Sequence, residues 1–340
     1  MTDVSVEPVS LGEPQLADVE AAQARLGDAV RRTPLLPLTL PDCPFPLFVK
    51  PEGLQAIGSF KIRGATNFLA SLPAEVRAKG VVAHSSGNHA QGVAAAAKRF
   101  GVKATIVIPE GAPAVKVANT KALGATVVRC ENTQEAREAA VREIAAREGA
   151  TPVPPFDHPW IVAGQGTVGL EIAQDLPDVK NVLVPIGGGG LASGVAVTIR
   201  SLVPGAQVVG VEPELAADAK ESLAAGELRA WGPDRVTRTI ADGVRSQSIG
   251  KLNFAMLSRY LAGVVTVGED AIAAAVRHYV TAGRLVVEPT GAISLAALRR
   301  LLREGSVDGI ELLPGPTVVV ASGGNVDTAM LCDLLSARSE

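Results

Sequence analysis

The stretch from residue 182 to residue 202, VLVPIGGGGLASGVAVTIRSL, joins two apolar runs through four consecutive glycines. The first run, Val182–Pro185, has the length and composition of a buried strand, and Ala192–Leu202 is typical of a helix. A turn alone needs one glycine, and four cost backbone entropy on folding, so the loop Gly187–Leu191 has a purpose beyond turning the chain. Glycine amides at the start of a helix bind phosphate. The stretch therefore predicts a strand–helix unit that carries an anion site.

Apolar runs and helix-like stretches alternate along most of the chain. Besides the run above, strands are predicted at Leu47–Val49, Gly80–Ala83, Ala104–Ile108, Thr126–Val128, Val208–Val211, Val264–Val267 and Thr317–Ala321. Ala-rich stretches between them predict helices, among them Ala90–Phe100, Val115–Leu123 and Thr133–Arg147. Several short runs are β-branched at every position, which is typical of strands buried on both faces of a parallel sheet. The pattern predicts an α/β protein.

Composition and charge exclude several classes of protein. The chain has 340 residues, of which 47% are hydrophobic and 20% charged, so it can bury a large core and is not disordered. Its net charge of −3 includes no basic block, which argues against nucleic acid as a partner. No apolar run approaches the roughly 20 residues of a membrane span, so no membrane partner is expected.

The cysteines and the amino terminus bear on the cellular compartment. Cys43, Cys130 and Cys332 are odd in number and lack metal-binding spacing, which favours a reducing compartment. The amino-terminal segment MTDVSVEPVSLGEPQ has neither the basic part nor the apolar part of a signal peptide. We therefore expect a cytoplasmic location.

The segment 58–65, GSFKIRGA, places Lys61 among small and apolar residues at the start of a predicted helix. Burial disfavours the ammonium form and lowers the pKa of a lysine, and Schiff-base chemistry needs the neutral amine. The alternative is an ordinary surface helix with Lys61 and Arg63 in solvent.

Two polar turns follow predicted strands. His84-Ser85-Ser86-Gly87-Asn88-His89 either offers backbone amides to an anion or only caps the next helix. Ser322-Gly323-Gly324-Asn325 follows the strand Thr317–Ala321, and its hydroxyl would lie at the edge of the sheet where α/β proteins bind ligands. The alternative for this second segment is a plain strand-to-helix turn.

Two further patterns leave alternatives open. The segment 212–218, EPELAAD, has carboxylates separated by carbonyl groups, which would suit a hard cation or belong to a solvated acidic loop. Gly187, Gly189 and Ala192 match a dinucleotide fingerprint, with Glu212 in the place of the ribose-binding acid. An NAD-linked Rossmann dehydrogenase is therefore an alternative.

Six motifs occur in an order that is known from one group of enzymes: GSFKIRGA (58–65), HSSGNHAQG (84–92), PIGGGGLASG (185–194), TIADGVR (239–245), VVEPT (286–290) and SGGNVD (322–327). With them the chain resembles, from about residue 20 to residue 335, the pyridoxal-phosphate-dependent threonine dehydratase and serine racemase family. The resemblance implies the tryptophan-synthase-β-like fold (fold type II), with two open, twisted α/β lobes and the cofactor in the cleft between them. The dehydrogenase alternative gives no reason for Lys61, Asn88 or Ser322.

The resemblance implies a role for each residue of the cofactor site. Lys61 would bind pyridoxal 5'-phosphate covalently, and Asn88 would hydrogen-bond its phenolic oxygen. Ser322 would face the pyridine nitrogen, where a hydroxyl favours elimination over transamination. The phosphate would be bound by Gly187, Gly188, Gly189, Gly190 and Leu191.

Substrate and metal residues follow from the same resemblance. Ser86 would be a second acid/base opposite Lys61, as racemisation requires. Arg137 would contact the substrate, or else it is an exposed helix arginine beside Glu135 and Glu138. The substrate carboxylate would be bound by Ser85, Ser86, Gly87, Asn88 and His89. The ligands of a divalent cation (Mg²⁺, Mn²⁺ or Ca²⁺) would be Glu212, the Ala216 carbonyl and Asp218.

The implied reaction is β-elimination from a 3-hydroxy amino acid, as in threonine and serine ammonia-lyases. Serine racemase and 3-hydroxyaspartate ammonia-lyase are alternatives within the family. We expect a homodimer, with a small domain at residues 80–157 and a large cofactor-binding domain at residues 1–79 and 158–340. The Pro-rich stretch 151–159 would cross between the domains, and the aperiodic loop 226–243 would be functional.

Three features depart from the family pattern. Ile57 stands where smaller residues are common, which indicates a packing change. Ala56 stands where ATP-stimulated serine racemases have a lysine, so nucleotide activation is not expected. The sequence ends at Glu340, soon after the last motif, so we do not expect the regulatory domain of feedback-inhibited threonine deaminases.

Overall fold

A computed structural model of the chain describes residues 12–112 and 114–336. The ends of the predicted large domain, residues 1–11 and 337–340, lie outside the described residues, and so does the beginning of the segment that we compared with signal peptides. In the part of the chain that is described, no helix is long and apolar enough to cross a membrane.

Two largely parallel sheets form the frame of the protein. The strands are β1 (Leu36–Pro37), β2 (Leu47–Pro51), β3 (Val81–His84), β4 (Ala104–Pro109), β5 (Thr126–Cys130), β6 (Thr151–Pro152), β7 (Asn181–Pro185), β8 (Gln207–Pro213), β9 (Gly263–Val267), β10 (Ser306–Val307), β11 (Ile310–Glu311) and β12 (Thr317–Ala321). The large sheet has the order β1-β2-β12-β7-β8-β9, and only its β1–β2 pair is antiparallel. The small sheet, β5-β4-β3-β6, is parallel throughout, and β10 and β11 pair separately.

Helices connect the strands and pack on the sheets. They are α1 (Leu16–Leu26), α2 (Lys61–Ser71), α3 (Ala74–Arg77), α4 (Asn88–Phe100), α5 (Ala114–Ala122), α6 (Gln134–Glu148), α7 (Pro159–Asp175), α8 (Gly190–Leu202), α9 (Asp218–Ala225), α10 (Pro233–Val236), α11 (Lys251–Tyr260), α12 (Glu269–Thr281), α13 (Pro289–Glu304) and α14 (Thr328–Ser336). The predicted alternation of strand and helix is thereby confirmed.

The central strands are buried as the sequence predicts. β4, β7 and β12 are buried at every residue, because helices cover both faces of a parallel sheet. β5 differs, since Thr126 is exposed and Val127 and Val128 are only half-buried. The reason is its place at the edge of the small sheet. A β-branched run therefore indicated a strand correctly but not its depth in the protein.

The chain between the two sheets runs through the predicted crossing. All strands of the small sheet lie between residues 81 and 152, and those of the large sheet lie before and after them. Residues 153–158 then lead to α7, without regular structure. The domain boundaries at 80–157 remain a proposal. The predicted long loop at residues 226–243 holds one short helix, α10, and the 3₁₀ turn Asp242–Val244.

Candidate active site

Lys61 is the first residue of α2 and lies at the meeting point of several elements. Its Nζ donates a hydrogen bond of 2.8 Å to the Pro155 carbonyl, in the crossing segment. Burial lowers the pKa of the Lys61 amine to about 8. Helix α4 packs closely on this turn, since a Cβ added to Gly92 would lie 3.0 Å from the Lys61 carbonyl oxygen. The surface-helix alternative is wrong, because Lys61 is partly buried and Arg63 is fully buried.

The glycine loop connects β7 to α8 and is closely packed. Gly189 has a φ of +95°, a backbone conformation that residues other than glycine rarely adopt. A Cβ on Gly188 would lie 2.1 Å from the Phe156 ring. Among the described residues, the amides of Gly187, Gly188 and Gly189 donate no hydrogen bond to backbone carbonyls, and the buried Ser193 hydroxyl has no partner. Free amides at a helix start fit a phosphate group.

Ser322 lies directly after β12 and next to the start of α2. The Phe60 amide donates to the Ser322 carbonyl at 3.1 Å, which places the serine beside the segment that carries Lys61. Ser322 is 2% exposed, and its Oγ has no hydrogen-bond partner among the described residues. An orphaned buried hydroxyl costs free energy, so it fits a missing polar partner such as a ring nitrogen.

The turn after β3 leads into α4, whose first residue is Asn88. The cap position, Gly87, has no side chain to accept a hydrogen bond, so the plain capping alternative is wrong. The Ser85 hydroxyl accepts a hydrogen bond from the Gly87 amide at 3.1 Å. Ser86 is half-buried. Burial, reinforced by the charge of Lys61, lowers the pKa of His89 to about 3, so its imidazole is neutral.

Arg137 lies in α6, near the end of β3. The alternative of an exposed helix arginine beside Glu135 and Glu138 is wrong, since Arg137 is half-buried. Its Nη2 donates to Asn132 Oδ1 at 3.1 Å, but its buried Nε has no partner among the described residues. Burial, followed by the Arg137 charge, lowers the pKa of His84. A positive group with spare donors therefore lies near the polar turn.

Glu212, Ala216 and Asp218 lie together between β8 and α9. All three are buried, so the alternative of a solvated acidic loop is wrong. Glu212 accepts the amides of Ala219 and Lys220 at 3.0 and 2.8 Å, whereas both carboxylate oxygens of Asp218 lack a hydrogen-bond partner among the described residues. Burial, followed by the negative charge of Asp218, raises the pKa of Glu212 well above its usual value. Burial likewise raises the pKa of Asp218 to about 7.

These buried acids fit a cation, because a positive ion would compensate two carboxylates that burial otherwise disfavours. Within residues 12–112 and 114–336, no group of three or more His, Cys, Asp or Glu side chains could hold a metal. The predicted set has only two such side chains and depends on a backbone carbonyl and water for the other ligands.

Three site residues carry no role in the sequence prediction. Glu288 and Asn325 hydrogen-bond the two ends of the Asn88 amide, and Phe156 packs on the glycine loop. The sequence motifs that contain these three residues can be recognised. Their roles cannot be predicted from the sequence, because they depend on which segments lie side by side in the fold. For Glu288 there was a signal: a carboxylate after an apolar pair and before a helix-starting proline.

The structure thus brings Lys61, Asn88, Ser322 and the glycine loop to one place. Asn88 is linked to the segment after Ser322 through Asn325, and Lys61 is linked to the glycine loop through Pro155 and Phe156. Arg137 and the acid pair Glu212–Asp218 lie outside this group. The fold and these groups are those expected of an α/β enzyme with a phosphorylated aldehyde cofactor, for which Lys61 is the candidate attachment point.

Comparisons with known proteins agree with this class. Residues 26–323 match the family model described as pyridoxal-phosphate dependent enzyme. The chain is 37% identical over 329 residues to L-threo-3-hydroxyaspartate ammonia-lyase of Saccharomyces cerevisiae, covering 96% of this chain and 98% of that protein. It is 43% identical over 320 residues to L-threonine ammonia-lyase of Thermotoga maritima, covering 93% and 77%. Maize serine racemase superposes with a TM-score of 0.89 at 37% identity, covering 94% and 96%.

The chain belongs to the family of pyridoxal-phosphate dependent enzymes and has their type II fold. The NAD-linked dehydrogenase alternative is therefore wrong. The structure gives a physical reason, because the Glu212 carboxylate is fully buried and already accepts two amides of α9, so it cannot bind a ribose.

Proposed function

We propose that this protein is an ammonia-lyase that converts a 3-hydroxy amino acid into a 2-oxo acid and ammonia. Threonine and serine are the substrates that we propose foremost. The main support for the proposal is that three groups lie close together in the fold. They are the Lys61 amine, whose pKa is lowered, the free amides of the glycine loop and the Ser322 hydroxyl, which has no hydrogen-bond partner among the described residues. Two relatives that share most of the chain are named as ammonia-lyases, and others with similar coverage are named as serine racemases.

Lys61 is proposed to have two roles. When bound, pyridoxal phosphate supplies an electron sink that stabilises negative charge at the substrate α-carbon. The Lys61 amine would hold the cofactor and, once released from it, would remove the α-proton as general base. A pKa of about 8 leaves an appreciable fraction of neutral amine at physiological pH. Before the cofactor binds, the hydrogen bond to the Pro155 carbonyl orients the Lys61 amine.

The turn from Ser85 to His89 is proposed to bind the substrate carboxylate through its amides at the start of α4. A helix start favours an anion, and because His89 is neutral, binding of the carboxylate would depend on the backbone amides. The α-proton would thereby face Lys61, and the 3-hydroxyl would leave as hydroxide and take up a proton, so that the proton removed by Lys61 and the hydroxide together amount to one water. The released enamine would take up a proton at C3 to become an imine. Hydrolysis of the imine would release ammonia, so threonine would give 2-oxobutanoate and serine pyruvate.

A second candidate is 3-hydroxyaspartate as substrate. Arg137, with its buried and unpartnered Nε, supports it because a second carboxylate would satisfy this donor. Serine racemisation is the other alternative of the family, and it would need Ser86 to deliver a proton to the face of the α-carbon opposite Lys61.

We also propose that Glu212, the Ala216 carbonyl and Asp218 bind Mg²⁺, Mn²⁺ or Ca²⁺. The partnerless oxygens of Asp218 support this site. A homodimer and a cytoplasmic location are further proposals. Cys43, Cys130 and Cys332, none of them in a disulfide, support a reducing compartment. Light scattering of the purified protein would test the dimer.

The deciding experiment is a panel of 3-hydroxy amino acids, assayed for 2-oxo acid formation and for the chirality of the remaining substrate. We expect 2-oxo acid from L-threonine and L-serine, and borohydride should fix the cofactor on Lys61. Lys61→Ala should abolish turnover, whereas Lys98→Ala, at an exposed position of α4, should leave it unchanged. A label on another lysine, or no 2-oxo acid from any substrate of the panel, would refute the proposal.

A further inference from the structure

The side-chain amide of Asn88 is held at both of its ends. Its Nδ2 donates to Glu288 Oε1 at 2.8 Å, and its Oδ1 accepts from Asn325 Nδ2 at 2.7 Å. Asn325 Nδ2 also donates to the Ile57 carbonyl at 2.8 Å. A backbone carbonyl only accepts, so it fixes which end of Asn325 is nitrogen. In turn, the end of Asn88 that faces Asn325 must be oxygen.

This chain of hydrogen bonds has a fixed direction. It runs from Asn88 Nδ2 to the Glu288 carboxyl, and from Asn325 to both Asn88 and Ile57. An amide nitrogen has two hydrogens, and Glu288 takes one of them. The second hydrogen of Asn88 Nδ2 is left for a ligand. Without the two neighbours the amide could rotate and present its oxygen instead.

Close packing holds Glu288 and Asn325 in these positions. Glu288 is 3% exposed, its amide donates to the Gly323 carbonyl at 3.1 Å, and a Cβ on Gly323 would lie 2.4 Å from its Oε1. Gly58 has a φ of +74°, and a Cβ there would lie 2.3 Å from Asn325 Oδ1. Any side chain at Gly58 or Gly323 would therefore displace one of the two partners.

The contacts link three segments, two of which carry the candidate cofactor residues Asn88 and Ser322. Asn88 starts α4, Glu288 precedes α13, and Asn325 follows Ser322 after β12. Glu288 and Asn325 lie 200 and 237 residues from Asn88 along the chain. Stabilisation of α13 alone would not require a hydrogen bond to the amide of another helix. The two hydrogen bonds therefore act on the orientation of the Asn88 side chain.

We propose that Glu288 and Asn325 are positioning residues that orient the Asn88 carboxamide so that one Nδ2 hydrogen faces the phenolic oxygen of bound pyridoxal phosphate. This inference rests on the proposed function, which places Asn88 at that oxygen. A donor there stabilises the ionised phenol, because a hydrogen bond to the charged form favours it. Loss of the orientation would favour the neutral phenol, which absorbs at shorter wavelength.

Asn325→Asp tests the proposal most directly. A carboxylate cannot donate to Ile57 or to Asn88 Oδ1, so it should turn the Asn88 amide round. We expect the bound cofactor to lose visible absorbance in favour of the near-ultraviolet, and the cofactor Kd to rise by about ten- to a hundredfold, as for a lost hydrogen bond to a charged group. Glu288→Ala should act in the same direction, whereas Glu288→Gln keeps an acceptor oxygen and should restore most of the affinity.

Ser294→Ala is the matched control for α13, because its buried hydroxyl has no hydrogen-bond partner among the described residues. It should leave the spectrum and the cofactor Kd unchanged. The melting temperature of the cofactor-free variants separates misfolding from misorientation, and Glu288→Gln decides the question if Glu288→Ala does not fold. Wild-type spectra and affinities in both Asn325→Asp and Glu288→Ala would overturn the positioning role. Failure of the wild type to bind pyridoxal phosphate would instead overturn the proposed function.

Discussion

Arg63 makes the most informative single perturbation of this fold. It lies two residues after Lys61 in α2 and is fully buried. Its guanidinium donates to both oxygens of Glu52, at 2.7 and 2.8 Å, and to both oxygens of Glu171, at 2.7 and 2.9 Å. The Lys50 ammonium lies 2.6 Å from Glu171. Two positive and two negative groups therefore balance in the interior.

Arg63→Met leaves two carboxylates facing a single ammonium. Glu171 keeps Lys50, but Glu52, which is 0% exposed, keeps only uncharged hydrogen-bond donors. Breaking a buried ion pair from one side costs about 3–5 kcal/mol, and here Glu52 loses its ion-pair partner while Glu171 loses one of two. We expect the free energy of unfolding to fall by about 4 kcal/mol.

Urea unfolding of the cofactor-free protein would measure this loss, if circular dichroism and tryptophan fluorescence give coincident transitions. Arg147→Met is the matched control, since the exposed pair of Arg147 with Glu143 should contribute less than about 1 kcal/mol. Adding Glu52→Gln to Arg63→Met restores the charge balance and should recover at least about 1 kcal/mol. A loss as small as that of Arg147→Met, or no recovery on adding Glu52→Gln, would refute the reasoning.

The pH dependence of this loss follows from the same charges. Burial acts to raise the pKa of Glu52, but the charge and hydrogen bonds of Arg63, together with the Lys50 charge and the Thr33 hydrogen bond, hold the pKa below its usual value. In wild type the pair therefore adds stability above the unfolded pKa of about 4.3, and this stability is lost as pH falls through the lower folded pKa. Without Arg63 the main cause of the lowered pKa is removed, so we expect the buried Glu52 carboxyl to take up a proton at a higher pH than in wild type. The stability difference between wild type and Arg63→Met should shrink between about pH 7 and pH 5.

Three other predictions concern the candidate site. Ser86→Ala should abolish exchange of the α-proton of D-serine with deuterated solvent. If this variant still forms D-serine from L-serine at the wild-type rate, Ser86 is excluded as the second acid/base. Removal of bound cations with a chelator should lower the melting temperature, and addition of Mg²⁺, Mn²⁺ or Ca²⁺ should restore it. Asp218→Asn should have the same low melting temperature as the chelated protein. An unchanged melting temperature in both experiments would exclude the cation. Because burial lowers the pKa of Lys61 to about 8, capture of pyridoxal phosphate by the cofactor-free protein should accelerate with pH and level off above about pH 8. An increase that continues to about pH 10 would indicate an ordinary solvated lysine.

Strand and helix positions could be predicted from the sequence because they depend on local patterns. Thr317–Ala321 matches β12 residue for residue, and Ala104–Ile108 ends one residue short of β4. The order of the strands could not be predicted in this way. β12 lies between β2 and β7, yet nothing in its valine run distinguishes these neighbours from any other buried strand.

The candidate site was predicted to the extent that its motifs are contiguous. Lys61, Asn88 and Ser322 each stand in a short recognisable stretch, and the structure brings them together. Arg63 shows where such reasoning fails, since its partners Glu52 and Glu171 lie 11 and 108 residues away. A charged residue reads as exposed unless its buried partners are known, and those partners are set by the tertiary fold.

The position of β12 has a consequence for how the protein is made. The strands of the small sheet are contiguous between residues 81 and 152, so this sheet can form while later parts of the chain are still on the ribosome. The large sheet cannot close, because β2 and β7 both wait for β12, some 130 to 270 residues downstream. Until then both strands keep an unpaired edge, which is a surface for aggregation or for a chaperone. Since Ser322 follows β12 directly, the cofactor site is completed only at this last step of assembly, and no incomplete chain can bind pyridoxal phosphate in the full site.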